Sequence, residues 1–350
     1  MVPALALMAA DAAREPATLE AVASAAGVSR ATVSRVVNGG EGVSPELRRA
    51  VEKAVRQMGY TPNRAARSLV TRRTDSIGLV IPESTTTLFG DPFFGRVVSG
   101  ISEVIAEADQ QLVLLTSQTA RDEERVSRYL TGGHVDGVLL VGLHRGDPLP
   151  RFLADRGVAV ALNAQPQRDL PVSTVDVDNV HGALAAVRHL IEGGRRRVAT
   201  VTGLMDMASA QDRLAGYRQA LSEAGIPYDA GLELHGDWDQ DRARASMDEL
   251  LASGAEVDAV FAASDLMALG ALSALRRHGR RVPDDVAIVG FDDSPLALSA
   301  DPQLSSVRQP IEELGREMAR SLLRSIAAKD RVPRSTVLAT ELVVRGSSAS

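Results

Sequence analysis

Seven apolar runs of strand length, separated by amphipathic segments of helix length, dominate residues 76–345. The runs are IGLVI, QLVLLTS, DGVLLVG, VAVAL, RVATVTG, DAVFAA and VAIVGF. Amphipathic segments lie between them, for example at 93–108, 179–192, 210–224, 241–252 and 265–278. This alternation predicts an α/β fold with parallel sheets flanked by helices. About 270 residues are too many for one compact sheet unit, so we expect two lobes, with a ligand in the cleft beyond the strand carboxyl ends.

Three short helices are predicted ahead of this body. Thr18 is a good N-cap for a helix over LEAVASAA. Ser29 caps a second helix, Arg30–Asn38, and Ser44 followed by Pro45 begins a third. Two small helices joined by Gly-Val-Ser, with a third covering them, predict a helix-turn-helix domain.

The second helix keeps a polar face once its valines are buried, and that face consists of Arg30, Ala31, Ser34, Arg35 and Asn38. Such side chains can donate paired hydrogen bonds to guanine and contact phosphate, so we predict that this helix reads a DNA major groove. The predicted DNA-contacting set also contains the helix-start residues Thr18, Ser29 and Thr32.

The basic run TPNRAARSLVTRRT follows the third helix. One interpretation is a flexible basic linker. The interpretation we favour is a hinge helix that contacts phosphates and inserts an apolar side chain into the minor groove. Its predicted DNA contacts are Asn63, Arg64, Ala66, Arg67 and Leu69.

Charge is distributed unevenly along the chain. Residues 1–74 contain eleven basic and six acidic residues, although the whole chain carries a net charge of −6. A basic head on an acidic body predicts that a polyanion is bound at one end only.

The sequence contains no cysteine, which fits a reducing compartment. No apolar run approaches the roughly 18 residues of a membrane span. The N-terminal VPALALMAA has no basic residue before it, and Asp11 and Glu15 follow it, so we expect a cytoplasmic protein without a membrane partner.

Catalytic and metal-binding signatures are not found. The sequence lacks the phosphate-loop, dinucleotide, nucleophile-elbow and zinc-protease motifs, and its six histidines show no metal-ligand spacing. We therefore predict neither an enzyme nor a metal or cofactor site.

Candidate ligand-binding residues lie at strand ends and helix starts instead. They are Asp91, Phe93, Phe94, Asn163, Arg213, Trp238, Ser264 and Asp292. A flat aromatic ring with carboxylate, amide and guanidinium groups matches the apolar faces and hydroxyl pairs of a sugar. Phe93 and Phe94 fit a core position equally well, and Asp265 is expected to cap the helix after it.

The head and hinge motifs together with IGLVIP resemble the lactose/galactose repressor family of bacterial transcription regulators. The resemblance continues through RLAGYRQALSEAGI, ASDLMALGAL, RVPDDVAIVGFDDSPLA, SSVRQPIEELGREMA and TELVVR, and so covers residues 18–346. It implies that Arg213 and Asp292 hold a small-molecule effector. The family often has Ser-Asn-Pro at Gly90-Asp91-Pro92, Asn at Ser264 and Asp at Asn163, so this chain departs from the family pattern at three of the candidate positions.

The resemblance implies a transcription regulator, expected to be a repressor, that binds a palindromic double-stranded DNA operator as a homodimer and responds to a sugar or sugar derivative. No leucine heptad follows the last predicted strand, so a dimer without a tetramerising tail is expected. The alternative functions are a periplasmic-type sugar-binding protein without a DNA role and an α/β enzyme of sugar metabolism.

The predicted division of the chain has four parts: a disordered extension at 1–17, the helix-turn-helix domain at 18–62, the hinge helix and linker at 63–74, and an effector-binding and dimerisation domain at 75–346. The last part is predicted to form an N-lobe from about 75–163 plus 307–328 and a C-lobe from about 164–306 plus 329–346.

Overall fold

Alternation of strands and helices produces two six-stranded sheets in the larger part of this chain. The structure, a computed structural model, describes residues 17–37, 40–60, 73–165, 170–328 and 332–349. The chain divides into two compact units between Thr74 and Asp75, and each is described by itself.

The N-terminal unit contains three helices around one small apolar core. They are α1 (Leu19–Ala26), α2 (Arg30–Val37) and α3 (Pro45–Met58). Thr18 and Ser44 act as N-caps of α1 and α3, because their hydroxyls accept hydrogen bonds from backbone N–H groups three residues later. Val22, Val33 and Val51, one from each helix, are fully buried in the shared core. The predicted helix-turn-helix arrangement is confirmed in the described residues.

The larger unit consists of two lobes. The sheet of lobe 1 has the order β11-β5-β4-β3-β1-β2 and is parallel throughout. Its strands are β1 (Ser76–Ile81), β2 (Gln111–Thr116), β3 (Gly137–Leu140), β4 (Ala159–Asn163), β5 (Ser173–Val177) and β11 (Ser335–Leu338).

The sheet of lobe 2 has the order β12-β10-β9-β8-β6-β7 and is parallel except for β12, which pairs antiparallel with β10. Its strands are β6 (Val198–Thr202), β7 (Glu233–His235), β8 (Ala259–Ala262), β9 (Ala287–Asp292), β10 (Ser305–Arg308) and β12 (Glu341–Val343).

Helices cover both faces of each sheet. The helices of lobe 1 are α4 (Thr85–Gly90), α5 (Pro92–Glu107), α6 (Ala120–Thr131), α7 (Leu149–Asp155) and α13 (Ile311–Ala327). Those of lobe 2 are α8 (Asn179–Glu192), α9 (Ala208–Glu223), α10 (Gln240–Ala252), α11 (Asp265–Arg277) and α12 (Pro295–Ser299). Each lobe has one apolar cluster on either side of its sheet, as the predicted fold class requires.

The chain passes between the lobes three times: from β5 to α8, from β10 to α13, and from β11 to β12. The predicted lobe boundaries at 163/164, 306/307 and 328/329 therefore need correction. β5 pairs with β4 and β11, so all three strands belong to lobe 1, whereas β10 belongs to lobe 2. Sequence analysis missed β5 and β11 because STVDV and STVL are short and interrupted by polar residues.

Helices α5 and α13 pack at glycine contacts. A Cβ on Gly100 of α5 would lie 2.0 Å from the Glu312 carbonyl oxygen, and a Cβ on Gly315 of α13 would lie 2.4 Å from that of Val97. The two backbones can approach this closely only because neither position carries a side chain.

We expect Gly100→Ala to lower the free energy of unfolding by about 1–3 kcal/mol, since backbone atoms must move to admit the methyl group. Gly95→Ala on the same helix is the control: a Cβ there meets nothing within 4 Å, so a change between zero and a gain of about 1 kcal/mol is expected. Urea denaturation of both variants measures the difference. Equal stabilities of the two variants would contradict the close-packing argument.

Candidate functional site

The outer face of α2 carries the predicted DNA-contacting residues. Val33 and Val36 point into the core, whereas Arg30, Ala31 and Arg35 are exposed. Thr18 and Ser29 are also exposed, while Thr32 and Ser34 are half-buried. The face is therefore available to a large partner such as a DNA duplex.

Two local contacts shape this face. The Ser29 hydroxyl accepts from the Thr32 N–H at 3.1 Å and lies 2.9 Å from the Thr32 hydroxyl, so both residues fix the start of α2. The Arg30 guanidinium lies 3.1 Å from the Glu20 carboxylate of α1, with both side chains exposed. Exposed pairs of this kind contribute little stability, so Arg30 can exchange Glu20 for another acceptor.

Part of the predicted DNA interface lies outside the described residues. It comprises Asn38 and the predicted hinge-helix residues Asn63, Arg64, Ala66, Arg67 and Leu69. Residues 1–16 of the predicted disordered extension also lie outside the described residues. These predictions stay predictions.

A cavity of about 490 Å³ lies between the two lobes of the larger unit. All eight residues predicted to bind a ligand line it: Asp91, Phe93, Phe94, Asn163, Arg213, Trp238, Ser264 and Asp292. They come from the ends of β4, β8 and β9 and from the starts of α5, α9 and α11 together with the loop before α10. The carboxyl ends of parallel strands meet at this edge of each sheet, which is why residues distant in the sequence converge here.

Arg213 is the central charge of the cavity. Its side chain is 6% exposed, and its guanidinium lies 3.6 Å from the Asp292 carboxylate. Nε donates to the Asn179 amide oxygen at 2.9 Å, and Nη1 donates to the carbonyl of Ala263. The guanidinium also stacks on the Phe291 ring at 3.7 Å. Burial lowers the pKa of Arg213, whereas the nearby aspartates, Asp292 first, raise it, and arginine stays charged in either case.

Asp292 closes β9 with unusual backbone geometry. Its φ is +110°, a region that residues with a side chain rarely adopt. Its carboxylate accepts a hydrogen bond from the Gln309 amide at 2.5 Å, and its carbonyl accepts one from Arg96 at 3.2 Å. Burial raises the pKa of Asp292 well above its ordinary value, and the charge of Arg213 opposes that shift.

Asp91 approaches the same space from lobe 1. Its carboxylate caps α5 by accepting from the Phe93 N–H at 2.9 Å. Burial raises its pKa, while this hydrogen bond and the Arg213 charge lower it. The rings of Phe93 and Phe94 meet edge to face at 5.4 Å, with Phe94 buried in the lobe 1 core and Phe93 half-buried at the cavity. Each of the two residues thus both lines the cavity and packs against the lobe 1 core.

Trp238 provides the flat aromatic surface. Its indole N–H donates to the sulfur of Met207 at 3.1 Å, and Arg213 lies 5.4 Å from its ring centre. A Cβ on Gly203 would lie 2.1 Å from the indole, so glycine there leaves room for the ring. The ring is held on one side by the protein and half-exposed to the cavity.

Asn163 and Ser264 use part of their polar capacity within the fold. The Asn163 amide donates to the carbonyl of Val175 at 3.1 Å, and Ser264 is the N-cap of α11, accepting from Met267 N–H at 3.2 Å. The expectation that Asp265 caps α11 is therefore wrong. The Asp265 carboxylate is fully buried and instead accepts from the Ser306 hydroxyl at 2.6 Å and the Ser294 N–H at 2.7 Å, because Ser264 already occupies the capping position.

Three polar residues of the cavity lie where the chain crosses between lobes and were not predicted from the sequence: Asp176, Asn179 and Gln309. Asp176 accepts from the Val177 N–H at 2.8 Å and from the Asn179 amide at 3.3 Å through the same oxygen, Oδ1. Burial raises the pKa of Asp176 to about 6, against the lowering effects of the Val177 hydrogen bond and Arg213. Asp176 could have been identified from the segment STVDVDN, because a charged residue inside a buried strand needs a polar partner.

Besides the three chain crossings, two loops beside the cavity connect the lobes through side-chain and backbone contacts. The His144 ring, after β3 in lobe 1, lies 2.8 Å from the Asp206 carboxylate, after β6 in lobe 2. The Arg145 N–H donates to the Asp206 carbonyl at 2.8 Å. Glu83 lines the cavity near this pair, and burial raises its pKa while His144 lowers it. The lobes are thus in contact at these loops as well as being joined by the three chain crossings.

Comparison with known proteins identifies the family. Residues 187–348 match a periplasmic binding protein-like domain, and residues 18–63 match the bacterial regulatory proteins of the lacI family. The HTH-type transcriptional regulator CelR of Thermobifida fusca is 50% identical over 336 residues, which are 95% of this chain and 99% of CelR. This chain belongs to the lacI family.

Other members of the lacI family show the same full-length similarity. The transcriptional repressor CytR of Escherichia coli is 34% identical over 339 residues, 95% of this chain and 96% of CytR. A CelR–cellobiose complex has a TM-score of 0.76 and 48% identity, covering 95% of this chain and 99% of that one. The Lac repressor dimer bound to operator and the anti-inducer ONPF has a TM-score of 0.84 and 26% identity, covering 96% and 100%.

CelR, CytR and the Lac repressor are transcription regulators rather than enzymes. In the described part of the chain, no helix combines the length and the apolar character needed to cross a bilayer. The predicted family, fold class and regulatory function are confirmed.

The raised pKa of Asp176 makes the free energy of unfolding depend on pH. Its carboxyl titrates near pH 6 in the folded state but near 3.8 as an ordinary aspartate, so the folded state binds more protons between these values. Stability is therefore lost as pH rises through this window. We expect Asp176→Asn, which keeps the Oδ1 acceptor, to raise the free energy of unfolding at pH 7.5 by up to about 3 kcal/mol and at pH 5 by about half as much.

Asp178→Asn is the matched control for Asp176→Asn, because asparagine also caps helices and Asp178 caps α8 outside the cavity. Urea denaturation at both pH values measures the effect. A stability gain for Asp176→Asn that is the same at pH 5 and 7.5 would contradict the assignment of a buried, charged Asp176.

Proposed function

We propose that this lacI-family chain binds operator DNA as a homodimer and changes its operator affinity when an uncharged sugar of the cellobiose type occupies the interlobe cavity. The observation that carries the proposal is the buried Arg213–Asp292 pair beside Trp238, with Asp91 facing it from lobe 1. The similar CelR structure is a cellobiose complex, and the similar Lac repressor structure is an operator-bound dimer.

The cavity has the chemistry and the size that a disaccharide requires. Its volume of about 490 Å³ falls within the range of about 300–1,000 Å³ that is typical of small-molecule sites. The Trp238 ring can stack on the apolar face of one sugar ring. The carboxylates of Asp91, Asp176 and Asp292 can accept hydrogen bonds from hydroxyl groups, and Arg213 can donate to them.

The charge of the cavity favours an uncharged sugar. Arg213 supplies its positive charge, whereas six lining residues carry carboxylates: Glu83, Asp91, Asp176, Asp237, Asp239 and Asp292. A phosphorylated or carboxylated sugar would bring further negative charge into a space where charges are poorly screened. Hydroxyl donors relieve the same carboxylates without adding charge.

The DNA-binding part of the proposal rests on α2. One helix of eight residues reads only a few base pairs, so two copies related by a two-fold axis are needed to read a palindromic operator. The exposure of Arg35 supports the proposal that it contacts base edges, and we propose that Arg30 contacts DNA once it leaves Glu20. Because the operator is chromosomal, we place the protein in the cytoplasm and infer that it acts as a repressor, like CytR and the Lac repressor.

A periplasmic-type sugar-binding protein shares the two-lobed body, which makes it the second candidate. The match of residues 18–63 to the lacI family and the exposed polar face of α2 favour the regulator. A sugar-metabolising enzyme has no support among the relatives, which are transcription regulators.

We expect Arg35→Ala to reduce the preference for operator over random DNA by about 1–3 kcal/mol, the discrimination of a bidentate arginine–guanine contact. Arg56→Ala, on the exposed side of α3, is the control and should leave that preference unchanged. Fluorescence anisotropy with an operator selected from random sequences gives both affinities. Equal losses on operator and random DNA for Arg35→Ala would refute base reading by α2.

We expect Arg213→Met to weaken cellobiose binding by at least about tenfold, because hydrogen bonds to charged groups contribute about 1.5–3 kcal/mol. Arg218→Met is the control on the same helix, since Arg218 pairs with Glu233 away from the cavity. Calorimetric titration with cellobiose measures binding, and operator affinity without sugar checks that the variants fold. Trp238→Leu provides a second test through the loss of stacking. Wild-type cellobiose affinity in both cavity variants would exclude this cavity as the effector site.

A further inference from the structure

Arg96 of α5 joins three segments of the larger unit. Its Nε and Nη2 donate to the two carboxylate oxygens of Glu312 at 2.7 and 2.9 Å. Its remaining nitrogen, Nη1, donates to the backbone carbonyl of Asp292 at 3.2 Å. The side chain of Arg96 is 23% exposed and that of Glu312 is 36% exposed, so this fork is partly sheltered from water.

The fork with Glu312 fixes the guanidinium within lobe 1. Glu312 lies in the first turn of α13, and α13 packs against α5 at Gly100 and Gly315. A two-point arginine–carboxylate contact fixes orientation as well as position. The third nitrogen is therefore aimed by lobe 1 at a carbonyl that belongs to lobe 2.

That carbonyl belongs to a residue whose backbone needs support. Asp292 and Asp293 both have positive φ, at +110° and +47°, and such conformations persist only where several contacts hold them. Lobe 2 holds the residues that follow: the Ser306 hydroxyl accepts from the Asp293 N–H at 3.0 Å, and the Asp265 carboxylate accepts from the Ser294 N–H. Arg96 adds a contact from the other lobe, at the Asp292 carbonyl itself.

We infer that Arg96 is a positioning residue that makes the conformation of Asp292 depend on how the two lobes are arranged. The inference rests on the proposed function, in which the Asp292 carboxylate faces the sugar. A sugar that requires this conformation of Asp292 favours the lobe arrangement that keeps Arg96 in contact. By reciprocity, the lobe arrangement changes sugar affinity by the same factor.

Arg316 offers a matched control within the same helix pair. Its guanidinium joins α13 to Glu103 of α5 at 2.7 Å and also contacts Glu313, and its side chain is 29% exposed. Arg316 thus links the same two helices as Arg96 does, but its ion pairs lie entirely within lobe 1. A measured property that changes in Arg96→Met but not in Arg316→Met therefore reports on the contact between Arg96 and Asp292.

Hydrogen exchange without any sugar gives the first test. We expect the amides of Asp293 and Ser294 to exchange at least about threefold faster in Arg96→Met than in the wild type, and at the wild-type rate in Arg316→Met. Glu312→Gln, which keeps the size of Glu312 but weakens the fork, should change exchange in the same direction by less. Equal exchange at these amides in the Arg96 and Arg316 variants would overturn the inference.

The second test uses the sugar response. Trp238 is the only tryptophan of the sequence, so its fluorescence reports cellobiose binding at the cavity. In Arg96→Met we expect the ratio of operator affinities with and without saturating cellobiose to fall at least about threefold, and to stay within about twofold of wild type in Arg316→Met. An unchanged ratio in Arg96→Met would overturn the inference. If the operator affinity of the wild type does not change with cellobiose, the proposed ligand is wrong. The hydrogen-exchange measurement still decides the role of Arg96 in that case.

Discussion

The buried guanidinium of Arg213 is the interaction on which the larger unit depends. A buried charge without partners would be strongly destabilising, so the fold surrounds it with acceptors. Asn179 comes from the first chain crossing, the Ala263 carbonyl from the end of β8, and Asp292 from the end of β9. Parallel strands whose carboxyl ends meet at one edge make this convergence possible. More carboxylates gather around the arginine than one positive charge can balance, which leaves acceptors that face the cavity and suit hydroxyl donors.

The same cavity shows how a binding site costs stability. Asp176 and Asp292 are buried carboxylates with raised pKa values, and Asp292 also has a backbone conformation that few residues adopt. None of these features improves the packing of the sheets, which are covered by ordinary apolar clusters on both faces. A cluster of partly compensated polar groups stays in place because the surrounding lobes fix it, and the hydroxyl groups of the proposed sugar would supply it with further hydrogen-bond donors.

The proposed DNA-reading face and the proposed ligand cavity are held by different physical means. The outer face of α2 is exposed and held mainly by helix caps and one weak pair between Arg30 and Glu20, so its side chains can adapt to a groove. The cavity residues are buried and fixed by several partners each. This contrast follows the charge distribution of the sequence, in which a basic first segment precedes an acidic body. A sugar-responsive regulator needs an exposed basic face as well as a fixed polar cavity, because exposed cations attract the phosphate backbone and fixed hydrogen bonds recognise a sugar.

The helix-turn-helix unit, the seven most apolar strands and the eight predicted cavity residues could be predicted from the sequence, because caps, periodicity and strand ends are local signals. The sequence did not determine that β5 and β11 belong to lobe 1, since short strands interrupted by polar residues are recognised only by their pairing. It also did not reveal Asp176, Asn179 and Gln309, whose importance comes from where the chain crosses between lobes. Only the tertiary structure decided which carboxylates surround Arg213 and that Arg96 reaches Asp292, because those contacts join residues up to 196 positions apart.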